Sequence, residues 1–398
     1  MNKTRTPISE NYNHTIYASY IGYITQAIVN NFAPLLFLTF SNQFSLSLDK
    51  ITLITTINFA VQLAVDLISA KLIDKIGYRI SIVAAHVFAA AGLIGLSVLP
   101  WIFSNQYIGI IISVVLYAIG GGLTEVLISP IVEACPVERK EGSISLLHSF
   151  YCWGQFGVIL LSTLFFTVFG IEHWRILSLI WAAVPIANCI YFSKVPLFSV
   201  SKGAEPARIS QLFKNKLFWL ILLLMLCAGA SELAMAQWAS AFAESALHVS
   251  KAVGDLAGPC AFALLMGTAR ALYGKFSDRL PLKKVIMWCA ALCIASYLLA
   301  SLTSLPVFGL IGCAVCGFSV GIFWPGTFSL AAASIPAAGT AMYAFMALAG
   351  DMGCMGGPTL VGLSANALGG NLKIGLLSAV IFPIIILVGS FLLDRKKA

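Results

Sequence analysis

The sequence predicts an all-α membrane protein of twelve transmembrane helices in two pseudo-symmetric six-helix halves, and three observations carry that reading. First, hydrophobic residues make up 59% of the 398-residue chain and charged residues only 10%, whereas soluble domains carry about 25% charged residues; the mean hydropathy is +0.92. Second, the apolar residues fall into runs long enough to cross a bilayer as helices, for which about 20 residues suffice. Segments of about ten residues alternating in polarity, the mark of a membrane barrel, are absent. Third, the second half of the chain repeats the pattern of the first.

Taken in order, runs and breakers place the spans at roughly 15–40, 50–73, 80–100, 107–132, 143–170, 174–193, 216–243, 252–275, 284–304, 306–334, 340–367 and 371–393. The polar start "MNKTRTPISENY" precedes span 1 and has no apolar core before a small-residue site, so no cleavable signal is expected. Lys50 precedes span 2, the basic loop "AKLIDKIGYR" separates spans 2 and 3, and Arg139 and Lys140 separate spans 4 and 5. The longest connection, 194–214, is polar and basic and contains Pro and Gly ("KVPLFSVSKGAEPARISQLFK"). It divides an N-terminal half, 1–193, from a C-terminal half, 215–398, and is read as a cytoplasmic linker. In the second half, "GKFSDRLPLKK" follows span 8 as the counterpart of the loop after span 2.

Orientation follows from the basic residues. With the N-terminus inside, Lys50, Arg175, Lys251 and Lys373 face out and the other 20 of the 24 Lys and Arg face in, which predicts both termini on the cytoplasmic side of a plasma membrane. The net charge of +8 then reflects loops facing anionic lipid, and no nucleic-acid partner is required. Cys313 and Cys316 form a C-x-x-C inside span 10 without a His pair nearby, so the expectation is no metal and no cofactor.

Duplicated six-helix halves are a transporter design, with the solute site between the halves near the bilayer midplane. The chain resembles the major facilitator superfamily. That family's loop between spans 2 and 3 reads Gly-x-x-x-Asp-Arg-x-Gly-Arg-basic, of which Asp74, Gly77 and Arg79 are present, with Lys75 for the first Arg, Ala70 for the leading Gly and Tyr78 for the second Arg. The copy in the second half keeps Gly274, Asp278 and Arg279. A narrower resemblance is to the fucose–proton symporter-like branch of sugar permeases. It rests on Asn30-Asn31-Phe32 in span 1, Glu125 five residues before Pro130 in span 4, "FWPGTFSLA" in span 10 and "GTAR" ending at Arg270 in span 8. Pro34 stands where sugar permeases of that branch can carry an acid. The resemblance implies the major facilitator fold and proton-coupled uptake of a sugar or a similar small polar solute, with H+ as the coupling ion. The protein is expected to act as a monomer.

Ionised side chains cost roughly 2.5–3.5 kcal/mol at mid-helix, so the four acids inside spans, Asp66, Glu125, Glu232 and Asp351, together oppose insertion by about 10 kcal/mol. They must face the interior, be protonated or be paired. Glu125, with Gly121, Gly122 and Ser129 on its helix face, reads as a carboxyl that takes and releases a proton as a cavity alternates, or as an acid hydrogen-bonded within its own half. Glu232 and Asp351 are further proton or ligand candidates. Glu232 shares no helix face with Trp238, so one ligand reaches both only if span 7 bends. Gly350, Gly353, Gly356, Gly357 and Pro358 around Asp351 favour a bend or close packing. Asp66 and Arg270 each stand eight residues before a loop Asp, at 74 and 278, and are read as structural or gating residues, each pairing with a loop or with span 5 or 11.

Asn30, Asn31, His148, Trp153, Gln155, Gln237, Trp238 and Trp324 are candidates for holding a hydroxylated solute, amides by hydrogen bonds and indoles against apolar faces. Trp153 and Trp324 fall deeper than interface anchors do, and His86 reads as structural. No G-x-x-x-x-G-K-[ST] loop is present, so ATP is not the direct energy source. H-E-x-x-H does not occur, and the one G-x-S-x-G match, "GFSVG" at 317–321, lies inside the apolar run of span 10 rather than at a strand-to-helix turn, which argues against an intramembrane enzyme. Proton-coupled efflux of drugs or metabolites is the alternative, although span 5 has Gly142, Gly154 and Gly157 but none of the Pro that the exporters' motif carries there. A non-transporting sensor is the third reading.

Overall fold

The computed structural model describes residues 7–136, 140–197, 209–276, 280–335 and 339–395. Among them lie twelve long helices. In the first half these are α1 (Tyr12–Phe44), α2 (Leu48–Ile76), α3 (Tyr78–Ile102), α4 (Gln106–Ala134), α5 (Lys140–Phe169) and α6 (Trp174–Lys194). A short helix, Ile209–Lys214, leads to α7 (Lys216–Leu247). Next come α8, built from Lys251–Asp255, a π turn Leu256–Cys260 and Ala261–Phe276, and α9 (Leu282–Leu302). The chain ends with α10 (Pro306–Val320 and Phe323–Ser334), α11 (Gly339–Ala367) and α12 (Leu372–Ser378 and Ile381–Arg395). Eleven of the twelve are long and apolar enough to cross a membrane. The other, α11, has 29 residues, but its glycines and Asp351 dilute its apolar content.

Helix breaks have local causes. Pro34 has no N–H to give, and the backbone tightens there into a 3-10 turn, Ala33–Leu36, inside α1. Pro259 lies in the π turn of α8, and α10 is interrupted between Val320 and Phe323, just before Pro325. Gly77 stands at φ +90° between α2 and α3, a backbone region that an L side chain rarely adopts.

Two compact units emerge. The first takes α1 through Ala33, then Val61–Val158, then the stretch from Phe165 to the linker. Pro34–Ala60 and Ile159–Leu164 belong to the second unit, with the whole second half of the chain. In the first unit α3 and α4 pack backbone to backbone: a Cβ at Gly92 would strike Tyr117, and one at Gly120 would strike Ala85 and Ala89. A buried knot joins three helices, Asn188 Nδ2 donating to Ala18 O at 3.0 Å and to His86 Nε2 at 2.8 Å. His86 Nδ1 donates in turn to Ile82 O at 2.8 Å. Arg79 closes the end of α6, its guanidinium donating to the carbonyls of Phe192, Ser193 and Val195 at 2.9–3.0 Å.

In the second unit, α7 and α11 are the closest pair. Gly353 admits the Leu226 carbonyl, Gly357 that of Ala230, and Gly229 that of Gly350. The glycine run around Asp351 therefore serves close packing, and α11 continues as one helix through it.

Candidate functional site

In the first unit Glu125 lies half-buried on α4. Gln26 of α1, 3% exposed, donates its Nε2 to Glu125 Oε2 at 2.5 Å, while its own Oε1 is buried and has no hydrogen-bond partner among the described residues. Asp66 of α2 is near enough to act electrostatically on Glu125. Small residues bring the three helices together: a Cβ at Gly121 would meet Val29 and Gln62, and one at Gly122 would meet Gln62 and Val65. One turn further along α4, Ser129 Oγ is 3.1 Å from the Tyr23 hydroxyl. Asn30 accepts from Gln62 Nε2 at 2.8 Å, and Asn31 Nδ2 donates back to Ala27 O at 2.9 Å. No cation pairs with Glu125 among the described residues.

The other candidates of this unit are spread out. Gln155 is buried on α5, whereas Trp153, two residues earlier, is 46% exposed and stands edge-on to Phe156. The side chains of His148 and Asp74 lie outside the described residues.

In the second unit Glu232 is buried on α7 and pairs with Arg270 Nη2 of α8 at 3.5 Å. Arg270 Nε also donates to Gly321 O at 3.1 Å, a carbonyl at the interruption of α10. Arg270 thus has an acid of span 7 among its partners, one that the sequence did not point to. Asp66 acts electrostatically on Glu125 of span 4.

Since α7 is a continuous helix, Glu232 and Trp238 part company. Trp238, 1% exposed, donates its indole N–H to Pro358 O at 2.9 Å and lies 5.3 Å from the Phe37 ring. Gln237 is buried beside it. Trp324 covers Gly350 of α11 and packs with Phe59, Leu233, Cys354 and Met355. Asp351, the next residue after Gly350, is half-buried. Gly274 belongs to α8, and Asp278 and Arg279 lie outside the described residues. Among the described residues no group of His, Cys, Asp and Glu forms a metal site.

One cluster escaped the sequence reading. Asp255, fully buried at the start of the π turn of α8, accepts from Ser240 Oγ of α7 at 2.5 Å and from Thr163 Oγ1 of α5 at 3.3 Å. Lys251 Nζ lies 3.1 Å from both Asp255 and Glu244, and donates to Leu35 O of α1 at 2.6 Å. The visible signal was the Lys251/Asp255 spacing of one helical turn, next to an apolar run.

The sequence matches the model of the Major Facilitator Superfamily over residues 19–358 and 248–398. No curated protein matches it. Among solved structures, a bacterial homolog of the human lysosomal transporter Spinster, inward-facing and unoccupied, aligns with a TM-score of 0.78 at 16% identity, covering 97% of this chain and 98% of that one. Its inward-facing and occupied form aligns at 0.76 and 15%, covering 96% and 97%. The E. coli fucose:proton symporter FucP, as a single-substitution variant, aligns at 0.64 and 15%, covering 95% and 98%. At these identities the likeness is one of fold.

Proposed function

The chain belongs to the Major Facilitator Superfamily, and on that premise we propose that it is a proton-coupled secondary transporter taking up a sugar or similar small polar solute by alternating access. As a member of a transporter family it is not an enzyme. The observation that carries the proton assignment is the surroundings of Glu125: a half-buried acid in mid-helix, beside a second acid and bonded to a neutral amide. Two carboxylates that act on one another electrostatically resist ionising together, so uptake of a proton relieves the repulsion.

Gln26 suits both protonation states. Its Nε2 donates to the ionised carboxylate. After proton uptake, rotation of the amide turns Oε1 toward the new O–H as an acceptor. Asn30, Asn31, Gln155 and Gln237, with Trp153, Trp238 and Trp324, remain the polar and aromatic groups proposed to serve a hydroxylated solute. Glu232 and Asp351 are the second-unit acids proposed to respond to it, with Arg270 as the charge partner of Glu232.

Glu125 also supports a second reading, exchange of protons for an organic cation, because no basic residue pairs with it among the described residues. Proteoliposomes separate the two. An inward proton gradient driving accumulation of a labelled sugar supports symport, and gradient-driven efflux of a cationic dye with no sugar uptake replaces it with antiport. Glu125→Gln is expected to abolish gradient-driven accumulation and leave solute counterflow in place; full accumulation by that variant would remove Glu125 from the coupling step.

A further inference from the structure

The Lys251 cluster has a geometry that packing alone does not require. An ammonium sits among oxygens from four residues: the Leu35 carbonyl at 2.6 Å, Glu244 at 3.1 Å, Asp255 at 3.1 Å and Ser240 at 3.4 Å. Asp255 is fully buried, and Thr163 and Ser240 hold its two oxygens. Burying a carboxylate is costly unless a positive charge and hydrogen bonds compensate it, so Lys251 and Asp255 depend on one another. The residues they engage come from separate parts of the chain. Leu35 belongs to the 34–60 piece of the second unit and Thr163 to its 159–164 piece, while Ser240, Glu244, Lys251 and Asp255 belong to the second half. Further contacts tie the same pieces on. Thr56 Oγ1 is 2.6 Å from Thr359 Oγ1, and Phe37 packs on Trp238.

We propose that Lys251 and Asp255 form a latch that holds the 34–60 and 159–164 segments against α7 and α8, and that the latch must open when these segments separate from the second half during transport. The segments meet the ion pair through neutral groups, the Leu35 carbonyl and the Thr163 hydroxyl; each can exchange its partner for water at little cost as the segments move away. The fully buried Asp255 then becomes exposed to solvent together with Lys251, which removes the desolvation penalty that the closed arrangement carries.

Hydrogen–deuterium exchange on the full-length protein in nanodiscs tests this without reference to solute or proton, so its failure is separable from failure of the coupling proposal. In Lys251→Met and Asp255→Asn, amides of residues 34–44 and 159–164 are expected to exchange about tenfold faster or more, tenfold corresponding to about 1.4 kcal/mol, while α3 and α4 keep wild-type exchange. Should Asp255→Asn fail to fold, Glu244→Gln at its partly exposed position is expected to give the same local pattern at smaller size. Wild-type exchange of both segments in Lys251→Met and Glu244→Gln would overturn the latch.

Discussion

At the residue scale, charges inside the membrane are arranged in two different ways. Glu232 is compensated by a cation, Arg270, whereas Glu125 is answered by an amide and faces another acid. The first arrangement is a buried ion pair, and removing one partner strands the other. Arg270→Met should therefore destabilise the protein by about 3–5 kcal/mol, and adding Glu232→Gln should recover most of that loss, both measured as thermal unfolding of the purified protein. A double variant no more stable than the single one would show that the two side chains are not coupled. In the second arrangement no cation pairs with Glu125 among the described residues. Gln26→Leu removes its hydrogen-bond donor and should impair proton-driven accumulation without preventing folding, read as gradient-driven uptake beside a thermal-unfolding scan.

At the element scale, helix contact is set by glycine. Gly353 of α11 faces the Leu226 carbonyl so closely that a Cβ has no room, while nothing lies within 4 Å of a Cβ placed on Gly356. Gly353→Ala should therefore cost about 1–3 kcal/mol through overpacking. Gly356→Ala should be neutral or gain about 0.5–1 kcal/mol, the usual helix preference for Ala over Gly. Equal unfolding temperatures for the two variants would refute the assigned α7–α11 packing. The same logic explains why the run containing Asp351 was ambiguous in one dimension: bend and close contact both call for glycine, and only the facing helix tells them apart.

At the scale of the whole molecule, the family model covers nearly the whole chain, and the twelve long helices follow the apolar runs. The distribution of Lys and Arg predicts cytoplasmic termini. Reporter fusions at residue 398 and in the 194–214 segment should be active only for cytoplasmic reporters, and a periplasm-specific reporter active at either point would reverse the orientation. The resemblance to the fucose–proton symporter-like branch, carried by Asn30-Asn31-Phe32 and the run around Trp324, belongs to this scale too, since it suggests a class of solute and not a contact.

By itself the sequence determined the helices, their order, the family and the scarcity of internal acids. Hydropathy, proline and glycine act over a few neighbouring residues, and the bilayer makes each apolar run choose helix. Partnership was decided only by tertiary structure. That Arg270 meets Glu232, that Gln26 and Asp66 flank Glu125, and that Lys251 reaches the Leu35 carbonyl depend on which helix faces meet across separations of 38 to 216 residues. A charge in a low-dielectric interior takes whatever partner the packing brings within a few ångströms, and linear spacing carries no record of that distance.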